Sequence, residues 1–409
     1  MITIIKIAYL NLWRRMTRTV LVIIMISVGL AAMIFSHGLY DGMGKQMISD
    51  TLRSSTGDIV IYKKGYRNSK LLSDYLGFSK IYEILQKDPQ ITAFAMRLKN
   101  EGMASSARGS QGVTIIGVNK EMEQKFINYK KGVVEGVFDF DGESRSAVIG
   151  QDLADKLKLK VGGKIVINAQ SMNKELVAAS FRVKGIIRTN NPEIDNGAVL
   201  LDLNVVQNLF QMPGQVSEFS LLLADKKNIL AVKKSISQKL QTSGENIEVF
   251  TWDEIYPSLA LFDKMFAYFI YISYIIVFLA VAIGLFNILL ISIMERIKEF
   301  GIMLAVGTPF STIKKIIYME SVLLSTFGYA FGSIAGFFVL LYYKTYGLDL
   351  SMFAAGLNSY GMASVIYAEL HPFYFIVAFI AVYLTAFLSA IIPVRRLKKL
   401  RPVEAIRFV

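Results

Sequence analysis

The chain has 409 residues, 53% of them hydrophobic and 19% charged, with a mean hydropathy of +0.44 and a formal net charge of +13. That is too apolar for an ordinary soluble protein and too polar for one made of spans alone, so a membrane protein with a sizeable aqueous domain fits. The lack of cysteine and the presence of only two histidines, His37 and His371, exclude disulfides, thiolate metal sites and a histidine-based catalytic or zinc centre in the polar part.

In residues 1–18, Ile5, Tyr9, Leu12, Trp13 and Met16 fall on one helical face, with Asn11, Arg14, Arg15 and Arg18 on the other. The pattern suits a helix lying in a membrane interface with Trp13 at headgroup depth, although Ile7 and Leu10 fall on the wrong side. The alternative is a plain inward extension of the span that follows. A span needs about 20 apolar residues, and residues 19–40 supply the first such run without Asp, Glu, Lys or Arg. Its apolar core is longer than that of a signal peptide and no A-x-A site follows, so it reads as a retained anchor.

Residues 41–264 change to short strands and helices and carry 30 basic against 26 acidic side chains. Strands are expected in "GDIVIYKKGY", "ITAFAMRLK", "QGVTIIGVN", "VSEFSLLLAD" and "NIEVF", and helices in "FSKIYEILQKD" and "NILAVKKSISQKLQ". This order suits a ferredoxin-like unit split by an insertion over residues 119–213, which has strands of its own. Asp139, Asp141 and Glu143 in "FDFDGE" lack the later ligands of an EF-hand and read as a solvated turn. "VGGK" at 161–164 is a turn before a strand. No G-x-x-x-x-G-K-[ST] occurs, so P-loop hydrolysis of nucleotide would belong to another chain.

Three further spans follow, at 265–294, 316–343 and 370–394. The second run is longer than a bilayer requires and is expected to project as a stalk. Basic residues crowd the N-terminal flank, the 295–315 segment and the 395–409 tail, whereas residues 344–369 hold a single lysine. By the positive-inside rule both termini and the 295–315 segment are cytoplasmic, and the 41–264 domain lies outside the cytoplasm. The net charge is thus a topology signal, and no nucleic-acid partner is expected. The fold class is an α-helical membrane protein with four transmembrane helices and an α+β extracytoplasmic domain between spans one and two.

Gly328, Gly332 and Gly336 repeat at four-residue spacing, a packing seam for a helix of the same chain or of a second copy. Glu320, at the start of the third span, is expected to pair with Lys315 or a neighbouring basic tail. In the 295–315 segment, Ile297, Gly301, Leu304 and Ala305 share one side of a helix that Gly307 ends. Thr308 then caps a new helix with Pro309 in its first turn. Such a segment is either a stiff bracket or a mere reversing loop.

"ERIKEFGIMLAVGTPFSTIKKIIYMES" resembles the cytoplasmic segment of the FtsX-domain permeases, the LolC/LolE/MacB-type group of ABC transporters. "AYLNLWRRMTRTVL" and "PVRRLKKLRPVEAIR" resemble that group's flanks, and "GDIVIYKKGY", "AVIGQDLADKLKLKVGGKI" and "GIIRTNNPEIDNGAVLL" its two-lobed periplasmic core domain. At Asn190, Asn191 and Pro192 the chain departs from the glycine expected after "RT".

The resemblance implies an inner-membrane permease subunit without catalytic residues or metal. It would work as a homo- or heterodimer on a separate ABC ATPase dimer that holds ATP and Mg. Glu295, Arg296, Glu299, Gly301, Ala305 and Gly307 match the coupling segment. "LDLSMFAAGLNSYG", between the last two spans, resembles the lipoprotein-releasing branch. That branch implies extraction of lipoproteins from the outer leaflet, with membrane lipids as neighbours and a periplasmic carrier as a further partner. The alternatives are MacB-like efflux of peptides or small amphiphiles, and FtsX-like activation of a cell-wall hydrolase.

Overall fold

The computed structural model describes residues 2–14, 16–69, 74–127, 129–140, 145–189, 191–241, 244, 246–353, 356–357 and 362–398. The expectations for Arg15, Asp141, Glu143, Asn190, parts of "LDLSMFAAGLNSYG" and the tail beyond Lys398 lie outside the described residues. The chain forms two units, one of residues 1–44, 262–350 and 365–409, the other of residues 45–261 and 351–364.

Helix α1 (Ile2–Trp13) ends before α2 (Met16–Ser54) begins, so the first residues are a separate helix and not an extension of the span. The Thr19 hydroxyl donates to the Leu12 carbonyl at 2.6 Å and stitches this corner. Ile5, Tyr9, Trp13 and Met16 are exposed, but Leu12 departs from the expected face: it is buried with Ala8 against the bundle. At 39 residues α2 is about 58 Å long, nearly twice a hydrocarbon core of about 30 Å.

The α+β domain contains ten strands in one sheet. They are β1 (Ile59–Lys63), β2 (Ile91–Ser106), β3 (Gly109–Val118), β4 (Val133–Gly136), β5 (Ser146–Gly150), β6 (Lys164–Gln170), β7 (Leu176–Ile187), β8 (Ala198–Asp202), β9 (Glu218–Leu223) and β10 (Ile247–Thr251). Strands β10, β1, β9 and β2 lie side by side, all antiparallel, in the order of a ferredoxin-like βαββαβ unit. Its helices are α3 (Phe78–Gln86), which buries Ile81 and Leu85, and α4 (Ile229–Gln241), which buries Val232, Ile236 and Leu240. Four-residue spacing puts each set on one stripe, and that stripe covers the sheet.

The insertion does not close on itself as a lobe of residues 119–213. The second half of β2 pairs with β3 on one side and β6 on the other, and β3, β8, β5, β7 and β6 complete a six-stranded ring with it. The ring therefore begins near Gly102, and one apolar cluster runs from Ile59 and Phe219 to Ile165 and Phe181. The physical reason is that the sixteen-residue β2 is long enough to serve both halves.

Helices α5 (Pro257–Glu295), α6 (Ile297–Ala305), α7 (Phe310–Tyr346) and α8 (Pro372–Lys398) follow. With α2, the helices α5, α7 and α8 are each long and apolar enough to cross a membrane. Val22, Ile26, Leu30 and Ile34 of α2 meet Val281 and Leu285 of α5, Leu324 and Leu340 of α7, and Ala378, Val382 and Ala386 of α8.

The glycine seam of α7 faces α2 of the same chain. A Cβ on Gly328 would lie 2.5 Å from Ile26, on Gly332 2.9 Å from the Ser27 carbonyl oxygen, and on Gly336 3.1 Å from Ile34. The Ser27 hydroxyl spans the crossing to the Gly328 carbonyl at 3.1 Å. Ser321 donates to the Ala386 carbonyl at 2.9 Å, so α7 is also tied to α8 by a side-chain hydroxyl. Both histidines of the chain stand at one aromatic knot, where His37 bonds to Tyr274 and stacks on Tyr374, whose hydroxyl donates to Asp41 at 2.5 Å.

Candidate functional site

Helix α6 is a separate rod held at both ends by chain geometry. At its start Arg296 leaves helical conformation (φ −110°, ψ 15°), which breaks it from α5. At its end Gly307 adopts φ +97°, in the left-handed half of conformational space where a side chain strains the backbone. Its N–H bonds back to the Leu304 carbonyl, and that of Thr308 to the Met303 carbonyl, closing the last turn. Pro309, rather than Thr308, is the residue that caps α7, and no side chain caps that helix. Because Pro309 has no N–H and is extended (ψ 143°), the helix starts one residue later than expected.

The inner side of α6 is apolar. Ile297, Phe300 and Gly301 are buried, and Ile297 and Phe300 join Ile293, Ile313, Ile317, Val394 and Leu397 in a cluster that fastens α6 across the ends of α5, α7 and α8. A mere reversing loop would not be fastened in this way. Ala305, expected on this inner face, is exposed: it is the last residue of α6, one turn beyond the buried Gly301.

Beside the apolar cluster is a lattice of charges. Arg14 meets Glu299 at 2.6 Å and Arg18 meets Glu295 at 2.9 Å, with Arg18 also donating to the Ile288 carbonyl. Arg296 bridges Glu299 at 3.2 Å and Glu320 at 2.7 Å, and the Asn11 amide donates to Glu320 at 2.7 Å. These groups line a polar cavity of about 140 Å³. Partial burial would raise the Glu299 pKa, but hydrogen bonds and charges from Arg14 and Arg296 outweigh it and hold the carboxyl below the usual range. Glu320 does not pair with Lys315. Five residues along a helix puts the two side chains roughly 140° apart, and Arg296 and Asn11 reach it instead.

Of the six coupling residues taken from the sequence, Glu295, Arg296 and Glu299 thus belong to an internal lattice and Gly301 to the buried side. Ala305 and Gly307 are on the outward side with Lys298, Ile302 and Val306; Ile302 is 54% and Val306 82% exposed. Sequence reasoning did not single out Ile302 and Val306. Their signal was a four-residue apolar spacing offset from the buried one. Asn11, Arg14 and Arg18 gave no signal as partners of this segment.

Within the α+β domain a second polar junction gathers at the end of α2. Ser54 accepts from the Asn191 amide at 2.8 Å, Ser55 bonds to the Tyr256 hydroxyl at 2.6 Å, and the Ser55 carbonyl accepts from Arg97. Asn191 also caps the short helix Pro192–Gly197. Arg97 is itself buried with Glu123 (2.5 Å) and Glu218 (3.6 Å), and Lys99 meets Glu218 at 2.8 Å. Asp139 pairs with Lys120 at 2.8 Å. Among the described residues no group of three His, Cys, Asp or Glu stands together as a metal site.

Residues 19–239 match the MacB-like periplasmic core domain and residues 271–402 the FtsX-like permease C-terminal domain. An uncharacterised ABC transporter permease of Methanocaldococcus jannaschii is 24% identical over 99% of this chain and 97% of its own length. The lipoprotein-releasing system transmembrane protein LolC of Neisseria meningitidis is 23% identical over 78% of each chain. The macrolide export ATP-binding/permease protein MacB of Campylobacter jejuni is 23% identical over 87% of this chain, which spans 56% of that longer protein. Among solved structures, the periplasmic region of MacB from Actinobacillus actinomycetemcomitans aligns with 49% of this chain at 15% identity and a TM-score of 0.36.

Proposed function

The chain belongs to the ABC transporter permeases built from a MacB-like periplasmic core domain and an FtsX-like C-terminal half, and we propose that it is a passive lever for lipoprotein release. ATP bound and hydrolysed on a partner ATPase dimer would close that dimer and push α6, with the α6 end of the bundle in the cytoplasm. The chain itself would carry no catalytic residue and hold neither nucleotide nor metal. Two copies of this chain, or this chain and a paralogue, would shift their core domains against one another and lift lipoproteins from the outer leaflet towards a periplasmic carrier.

The observation that carries this reading is the mounting of α6. Its inner face is fastened to α5, α7 and α8 and its Glu299 to Arg14, between α1 and α2, while Ile302, Ala305 and Val306 stay exposed for a partner. A push there reaches α2 and α5, each an unbroken helix of 39 residues. The choice of cargo draws on the LolC relative, matched along 78% of both chains.

Proteoliposomes with the reconstituted complex and a lipidated substrate test it. Release is expected to require ATP and the ATPase chain, and Ile302→Asp with Val306→Asp is expected to abolish release and ATPase binding together. Export of an amphiphile without lipoprotein release would favour the MacB-like reading. Activation of a hydrolase alone would favour the regulatory one.

A further inference from the structure

On the flank of the α2–α7 crossing lies an apolar groove of about 610 Å³, separate from the polar cavity of the charge lattice. Its floor and walls include Trp13 of α1, Val20, Ile24 and Val28 of α2, and Phe331 and Ala335 of α7. Two hydroxyls, of Thr19 and Ser27, also face it, and both are already engaged: Thr19 with the Leu12 carbonyl, Ser27 with the carbonyls of Ile23 and Gly328. With both hydroxyl protons engaged within the chain and the Trp13 indole at the mouth, the rest of the lining is apolar and suits a hydrocarbon.

Its length identifies the kind of hydrocarbon. From Val20 to Val28 the groove rises about 12 Å, and on α7 it rises in parallel by the same eight residues, from Phe327 to Ala335. One leaflet of a bilayer is about 15 Å of chain, so the groove is one leaflet deep. A spanning helix of a second copy would need about twice that depth.

The mouth is at the end where the chain is basic. Lys6, Tyr9 and Trp13 lie at three- and four-residue spacing on one exposed face of α1, with the Tyr9 and Trp13 rings 5.9 Å apart. Two interfacial aromatics and a lysine next to Arg14 make a headgroup-level surface of positive sign, and the first 40 residues contain no acid.

We infer that this groove holds one acyl chain of an anionic phospholipid from the leaflet that meets the basic flanks, with its headgroup at Lys6 and Trp13. The lipid wedges α1 against α2 and α7 and so sets the corner from which Arg14 reaches Glu299 of α6 and Arg18 reaches Glu295 at the end of α5. The inference needs the chain to span a membrane but is independent of what it transports.

The test uses the full chain in nanodiscs containing phosphatidylglycerol or phosphatidylcholine with a photoreactive group midway along one acyl chain. Labelling is expected to concentrate at Ile24, Val28 and Phe331, several-fold above the equally exposed Phe338 and Ile376, and to favour phosphatidylglycerol. Lys6→Gln is expected to reduce that preference roughly fivefold. Ala335→Trp, which fills the upper groove without touching the glycine seam, is expected to remove the groove labelling while the Tm holds; Val28→Trp replaces it if that variant does not fold. Uniform labelling, or no headgroup preference, would reduce the groove to ordinary lipid contact and overturn the inference. Photolinks from these positions to a second copy would overturn it in favour of a protein interface.

Discussion

Arg97 enters the core of the α+β domain as a charge that must be matched. Burial works against its charged form, yet Glu123 above all, and Glu218, hold the guanidinium's pKa above its usual value. Arg97→Ala would leave Glu123 buried and uncompensated, a loss of about 3–5 kcal/mol. We expect a lower Tm for the purified full chain, and partial recovery when Glu123→Leu is combined with it. The lattice around α6 offers a graded contrast. Glu299 is 44% exposed at its side chain, so Glu299→Gln should cost less than about 1 kcal/mol, whereas Glu320→Ala removes a 6% exposed partner of Arg296 and should cost more. Since the folded-state pKa of Glu299 is depressed, its contribution is complete above the ordinary glutamate pKa of about 4.3 and is lost as pH falls through the lower folded value. The Tm difference between wild type and Glu299→Gln should therefore be flat through neutral pH and shrink only in strong acid. A difference that vanished between about pH 6 and 8 would contradict the Arg14–Glu299–Arg296 assignment.

Among the elements, the α2–α7 crossing and the α6–α7 break are the ones a single side chain can disrupt. Gly332→Leu would drive side-chain atoms into the Ser27 backbone, and overpacking of this kind costs about 1–3 kcal/mol. Because the chain has no native cysteine, a disulfide introduced between α2 and α7 reports the crossing cleanly, and Gly332→Leu should slow its formation. A Cβ at Gly307 meets nothing within 4 Å, so Gly307→Val acts through the backbone alone, at about 1–3 kcal/mol. It should loosen α6 and lower coupled ATPase activity while leaving the overall helix content unchanged by circular dichroism.

The spans were legible because an uncharged apolar run of bilayer length is rarely anything but a span, and the ferredoxin-like order was legible from alternating strand and helix periods. The partner of the glycine seam was not, since four-residue spacing gives a face and not its occupant. Arg14 and Glu299 are 285 positions apart and oppositely charged like many other pairs, so nothing local announced the lattice. The ring in the α+β domain was misdivided because β2 reads as one continuous strand and gives no sign of where its second half changes neighbours.

For the whole molecule, the proposed transmission depends on rigidity. α2 and α5 are each an unbroken rod of 39 residues, about 58 Å long. A Gly-Gly-Ser insertion after Gln46 would preserve both units and their sequence but interrupt that rod, since glycine breaks helix propagation at about 1 kcal/mol per residue. The decisive measurement is ATP hydrolysis and lipoprotein release recorded together from proteoliposomes carrying the complete complex, with and without that insertion. We predict that hydrolysis continues and release stops. Release at the wild-type rate through an interrupted α2, or hydrolysis by this chain with no ATPase partner present, would contradict the lever.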